Sequence, residues 1–193
     1  MELREVPHLP GRRGRGPFLA ADRARLRRAR PGGREGASLI QIAVCGPGDC
    51  TETERRNARE AGRLLATRGA VVLCGGYGGV MGAAAEGARE AGGLVVGVLS
   101  GADRTQAHPG LSAAVATGMG QARNAVLVGS ADAVIVVGGS WGTLSELAHA
   151  MRSGTPVVQL GGWHLHDADG APIEGPPNAA TPEEALRLTG LWP

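Results

Sequence analysis

Beyond residue 38 the chain alternates between short runs that are apolar throughout and longer stretches in which apolar residues recur every three or four positions. Residues 39–45, 70–74, 94–99, 133–137 and 156–160 form the apolar runs and read as buried strands. Residues 113–117 read as a further strand or an extended lead-in. The helical period predicts helices over residues 51–68, opened by the capping pair Thr51 and Glu54, and over 80–91, 121–128, 143–152 and 182–188. Strands that are apolar on both faces need cover on both faces, and strands that alternate with helices pair in parallel. Right-handed crossovers then give an α/β fold, a doubly wound Rossmann-like parallel sheet with helices on both faces.

Two glycine-rich turns punctuate this pattern, each after an apolar run and each opening a helix. The first runs Gly75-Gly76-Tyr77-Gly78-Gly79-Val80-Met81-Gly82; the second runs Gly138-Gly139-Ser140-Trp141-Gly142-Thr143. Glycine brings backbone close to an anion, and a helix start offers unpaired N–H groups and a positive dipole end. Ligands of doubly wound sheets sit beyond the carboxyl ends of the strands, where both turns fall, so the turns are expected to converge on one phosphate-binding cleft. The candidate ligand-binding residues are Gly46, Gly75, Gly76, Gly79, Met81, Gly82, Asn124, Gly138, Gly139, Ser140, Gly142 and Thr143. Thr143 can donate its backbone N–H and its hydroxyl to a phosphate at the helix start.

Glu146 admits two readings. It reaches a ribose hydroxyl or serves as a general acid or base, or it closes a capping box with Thr143 and only bonds the cap N–H. Arg123 is the only basic residue between Arg104 and Arg152. Its planar guanidinium can grip an oxyanion with two parallel hydrogen bonds, the alternative being an ordinary surface arginine. Tyr77 and Trp141 are candidates for stacking on a base or pterin ring, or for filling the core.

Charge is divided unevenly. Residues 1–37 hold ten Arg against four acids, mixed with Pro and Gly, and are expected to form a disordered Arg-rich arm; residues 38–193 hold ten Arg against fourteen acids and form the single folded domain. A mildly acidic folded part gives no nucleic-acid footprint, so no nucleic-acid partner is expected. The chain has no Lys. That excludes a pyridoxal phosphate Schiff base and a Walker-type loop, both of which require one. Cys45, Cys50 and Cys74 lack metal-ligand spacing and read as reduced thiols of a cytoplasmic protein, without a metal site. The segment His164-Leu165-His166-Asp167-Ala168-Asp169 reads as an exposed loop rather than a metal site. No run approaches the length of a membrane span, and no membrane partner is expected.

Gly79-Val80-Met81-Gly82, Arg123 and the stretch from Gly138 to Glu146 resemble the LOG (Lonely Guy) family, phosphoribohydrolases long mislabelled as lysine decarboxylases. The resemblance covers residues 39–160 and implies a Rossmann-like homodimer or larger oligomer. It further implies hydrolysis of the N-glycosidic bond of nucleoside 5′-monophosphates without a cofactor. Arg123 and Glu146 match the family's catalytic pair. Around Arg123, however, Gly120, Gln121, Ala122 and Asn124 replace the Met, His, Glu and Lys of the family motif, and Gly138 replaces a Pro. These departures are similar to a sister branch that includes the molybdenum cofactor carrier proteins. The resemblance thus implies a phosphoribohydrolase acting on a nucleoside monophosphate, with a non-catalytic carrier of a phosphorylated pterin, or a nucleotide sensor, as the alternative.

Overall fold

The computed structural model describes residues 39–192. The expectation for the Arg-rich arm, residues 1–37, lies outside them.

Six parallel strands form one sheet: β1 (Gln41–Cys45), β2 (Val71–Cys74), β3 (Val95–Leu99), β4 (Ala113–Ala116), β5 (Ala133–Val137) and β6 (Val157–Leu160), in spatial order β4-β3-β2-β1-β5-β6. Five helices cover it: α1 (Glu52–Thr67), α2 (Val80–Glu90), α3 (Arg123–Gly129), α4 (Trp141–Ser153) and α5 (Pro182–Leu188). Alternate residues of β1 show why the strand is apolar from Ile42 onward. Ile42 and Val44 join one core with Ala58 and Leu65 of α1, Ala83 to Ala85 of α2 and Leu186 of α5, while Ala43 and Cys45 join the other with Leu127 of α3 and Leu147 and Ala150 of α4. Both faces are thus removed from water, as a parallel sheet requires.

The doubly wound α/β sheet follows the expectation, with differences at element ends. Residues 113–116 are a true strand, yet an edge one whose side chains alternate between exposed and half-buried. The helix expected from residue 121 begins as a single 3₁₀ turn, Gly120–Ala122, and becomes α-helical only at Arg123. Asp132 accepts the Gln41 backbone N–H at 2.9 Å, tying the start of β5 to the start of β1. Strand order reverses at β1, which has β2 on one side and β5 on the other. The crevice at such a reversal is where an open α/β sheet takes its ligand. Among the described residues no helix is long and apolar enough to cross a membrane.

Candidate functional site

The carboxyl ends of three adjacent strands meet at the reversal. Gly46 follows β1, Gly75 and Gly76 follow β2, and Gly138 and Gly139 follow β5. Gly79 is the N-cap of α2, and Met81 and Gly82 lie buried in its first turn. Ser140 is the N-cap of α4, with Trp141, Gly142 and Thr143 as the first three helical residues.

That helix start corrects one expectation. Thr143 was a candidate cap with Glu146 completing a capping box; instead the Ser140 hydroxyl oxygen accepts the Thr143 N–H at 3.3 Å and lies 2.9 Å from the Thr143 hydroxyl. The helix therefore starts at Trp141, two residues earlier than the apolar period suggested. Glu146, now in its second turn, turns inward and is 5% exposed.

Arg123 opens α3 and is 7% exposed, so it is no surface arginine. Its Nη1 lies 3.7 Å from Glu146 Oε1, an ion-pair contact too long for a hydrogen bond. Neither Nε nor Nη1 has a hydrogen-bond partner, and both are fully buried. The buried amide oxygen of Asn124, the next residue, is also unpartnered. Native interiors seldom leave such groups unpaired, because each forfeits its hydration without return. The guanidinium lies across the first glycine turn: a Cβ at Gly75 would come within 2.5 Å of Arg123 Nη1 and of Met81 Sδ. Arg123 is thus the piece that joins the two turns, packed on one and paired with the helix that opens from the other.

Burial dominates the electrostatics of the pair. Removal from water pushes the Glu146 carboxyl up to about 7, although Arg123 and a hydrogen bond with the Cys45 thiol pull it down. Burial likewise raises the Cys45 thiol well above its ordinary value, with Glu146 adding to the shift, and lifts Cys74 to about 11. These thiols stay protonated and unreactive at neutral pH.

Sequence reasoning missed one participant. Glu54 closes the capping box of α1, its Oε2 accepting the Thr51 N–H at 2.7 Å. Its other oxygen rests against Gly138, whose φ of +65° and lack of a Cβ leave room for it. No sequence signal links positions 84 residues apart.

A groove of about 700 Å³ lies beside α4, lined by Leu144, Leu147, Met151, Trp163 and Ile173. Arg123 and Glu146 do not line it. The unpaired buried donors, rather than concavity, mark the candidate site. Tyr77 does not offer a free ring edge: its hydroxyl accepts the Gly101 N–H and bonds Ser100 Oγ, each at 3.1 Å. His164 and Asp167 are exposed, and among the described residues no three His, Cys, Asp or Glu side chains gather around a possible metal.

Comparison with known proteins identifies the family. Residues 39–181 match the model of the SLOG cluster4 family, and the chain belongs to that family. An uncharacterized protein of Archaeoglobus fulgidus is 43% identical over 148 residues, covering 77% of this chain and 93% of the relative. The molybdenum cofactor binding protein of Rippkaea orientalis superposes with a TM-score of 0.72 at 33% identity, over 80% of this chain and 98% of that one. The Moco carrier protein of Chlamydomonas reinhardtii gives a TM-score of 0.69 at 32% identity, over 79% of this chain and 96% of that one. The branch suggested by Arg123 and its neighbours is therefore the right one.

Proposed function

We propose that this member of the SLOG cluster4 family binds a phosphorylated pterin of the molybdenum-cofactor class and acts as its carrier. The observation that carries the reading is the buried Arg123 guanidinium with two unpartnered N–H-bearing nitrogens, set between two glycine turns at the sheet reversal. A phosphate seated at the start of α4 would meet the free N–H groups and the positive end of that helix. Arg123 would supply charge-assisted hydrogen bonds that the folded chain leaves unmade. Gly139, Gly142 and Ser140 line the approach, and Gly75 gives the guanidinium its place. Molybdenum-cofactor binding proteins among the structural relatives support the pterin over other phosphorylated molecules.

A second reading keeps hydrolysis of a nucleoside monophosphate, with Glu146 as the acid or base beside an oxocarbenium-like ribose. Its supporting observation is the carboxyl poised at about 7.

The purified chain is incubated with molybdenum cofactor and, separately, with a panel of nucleoside 5′-monophosphates. Retention of the pterin through gel filtration, with no free base released from any nucleotide, is the expected result. Arg123→Ala is expected to weaken retention by about tenfold or more, the loss of hydrogen bonds to a charged group. Base release without pterin retention would establish the hydrolase reading in its place.

A further inference from the structure

We propose that Trp141 is the residue that selects the ligand's ring, so that the site takes a phosphate joined to a planar heterocycle, a pterin or a purine, in preference to a bare sugar phosphate. This rests on the reading that the phosphate lies at the start of α4.

The chain carries five aromatic side chains, and four of them lie among the described residues. Three of the four are committed to the protein. The Tyr77 ring packs against the core with its hydroxyl bonded to the Ser100 loop, and Trp192 packs against the same core. Trp163 is held through its backbone by Gln159, whose Oε1 accepts the Trp163 N–H and whose Nε2 donates to the Trp163 carbonyl, each at 3.3 Å. Trp141 alone is left in water, 80% exposed.

Its place makes that exposure informative. A single exposed apolar residue on a surface needs no explanation. Trp141, however, is the first residue of α4, directly after the Ser140 cap, so its ring stands at the helix start that would receive the phosphate. It is also braced: the Trp163 ring lies 5.5 Å away, centroid to centroid, tilted by 35°. Trp163 in turn sits above the second glycine turn, where a Cβ at Gly139 would come within 2.8 Å of the indole Nε1. That indole N–H is buried and has no partner. Trp163 thus sets an unpartnered donor against the second turn, and the exposed Trp141 indole stands beside it, at the start of the helix whose second turn holds Glu146 against Arg123. A fixed indole beside a phosphate seat gives a flat heterocycle a stacking surface, which does not depend on the ring's hydrogen-bonding edge.

Isothermal titration of the full chain, Trp141→Ala and Trp141→Phe uses two probes, neopterin monophosphate and ribose 5-phosphate. The unaltered chain is expected to prefer the pterin phosphate by about tenfold or more, as expected for one stacked ring. Trp141→Ala should lose that preference while holding ribose 5-phosphate within about twofold. Trp141→Phe should keep most of the preference, and its thermal midpoint and that of Trp141→Ala should match the parent because the side chain is exposed. Equal weakening of both probes by Trp141→Ala, or an undiminished preference, would overturn the role of Trp141 while leaving the phosphate seat intact. An unaltered chain that binds neither probe would remove the phosphate seat itself, and this inference with it.

Discussion

The two glycine turns share an outline, a strand end, small residues and a helix start, but the fold uses them in opposite ways. At the first, the helix start is sealed. Gly79 caps α2 with no side-chain hydrogen bond, the Val80 N–H donates to the Pro47 carbonyl at 3.0 Å, and Val80, Met81 and Gly82 are all buried. At the second, Gly139, Trp141 and Gly142 are exposed, and the Ser140 side chain satisfies only the Thr143 N–H. The difference comes from what each turn packs against. The first packs against the segment joining β1 to α1, whose Pro47 and Gly48 carbonyls lie against Gly79; the second leaves Gly139 and Gly142 in water. A glycine-rich strand-to-helix turn therefore has two uses, close packing and ligand access, and its neighbours decide which.

Gly79→Ala tests the sealed turn most severely. Gly79 has φ +64° and ψ −134°, and a Cβ there would strike the Pro47 and Gly48 backbone carbonyls. Backbone strain and overpacking together should cost roughly 4 kcal/mol, read as a lower denaturation midpoint. A loss below about 1 kcal/mol would show that this turn is not sealed by packing.

The buried pair at the open turn is tested through pH. Glu146 holds its proton up to about 7 when folded, against an ordinary value of 4.5. The native state thus binds the proton more tightly than the unfolded chain. Its stabilising contribution is complete below pH 4.5 and is lost as pH rises through about 7. Glu146→Gln lacks this dependence, so the stability of the parent relative to the variant should fall by up to ~3 kcal/mol between pH 4.5 and pH 8 in urea titrations. A difference that stays constant over that interval would refute the burial-driven shift.

Gly142→Ala is the mildest and separates the two turns most cleanly. Its Cβ would find only Ser140 Oγ, 3.8 Å away. In the first turn of α4, alanine should leave stability unchanged or raise it by about 0.5 kcal/mol, while phosphate-ligand affinity falls because the added methyl stands at the mouth. Lost stability with unchanged affinity would assign this turn to packing as well.

Much of the fold was legible in the chain. Strands β1, β2, β3, β5 and β6 announce themselves because both faces are buried, leaving Gln41 at the start of β1 and Gln159 in β6 as the polar residues among them. Strand β4 was ambiguous for the converse reason, since an edge strand has side chains partly in water. The start of α4 was misplaced because Ser140 and Thr143 both suit a cap, and only the backbone path out of β5 chooses between them. Within the site, Arg123 and Glu146 stood out by their motifs, whereas the contacts of Glu54 with Gly138 and of Trp163 with Gly139 carried no local signal.

By itself, the sequence determined the succession of strands and helices, the parallel pairing that their alternation demands, and the glycine turns at strand ends. These follow from periodicity and from local backbone preferences, which act over a few residues. The tertiary structure alone decided that Arg123 would lie buried against Gly75 and 3.7 Å from Glu146, and that one turn would be sealed and the other open. Those outcomes depend on β1 standing between β2 and β5, a spatial order that brings distant residues together and leaves no trace in the local pattern.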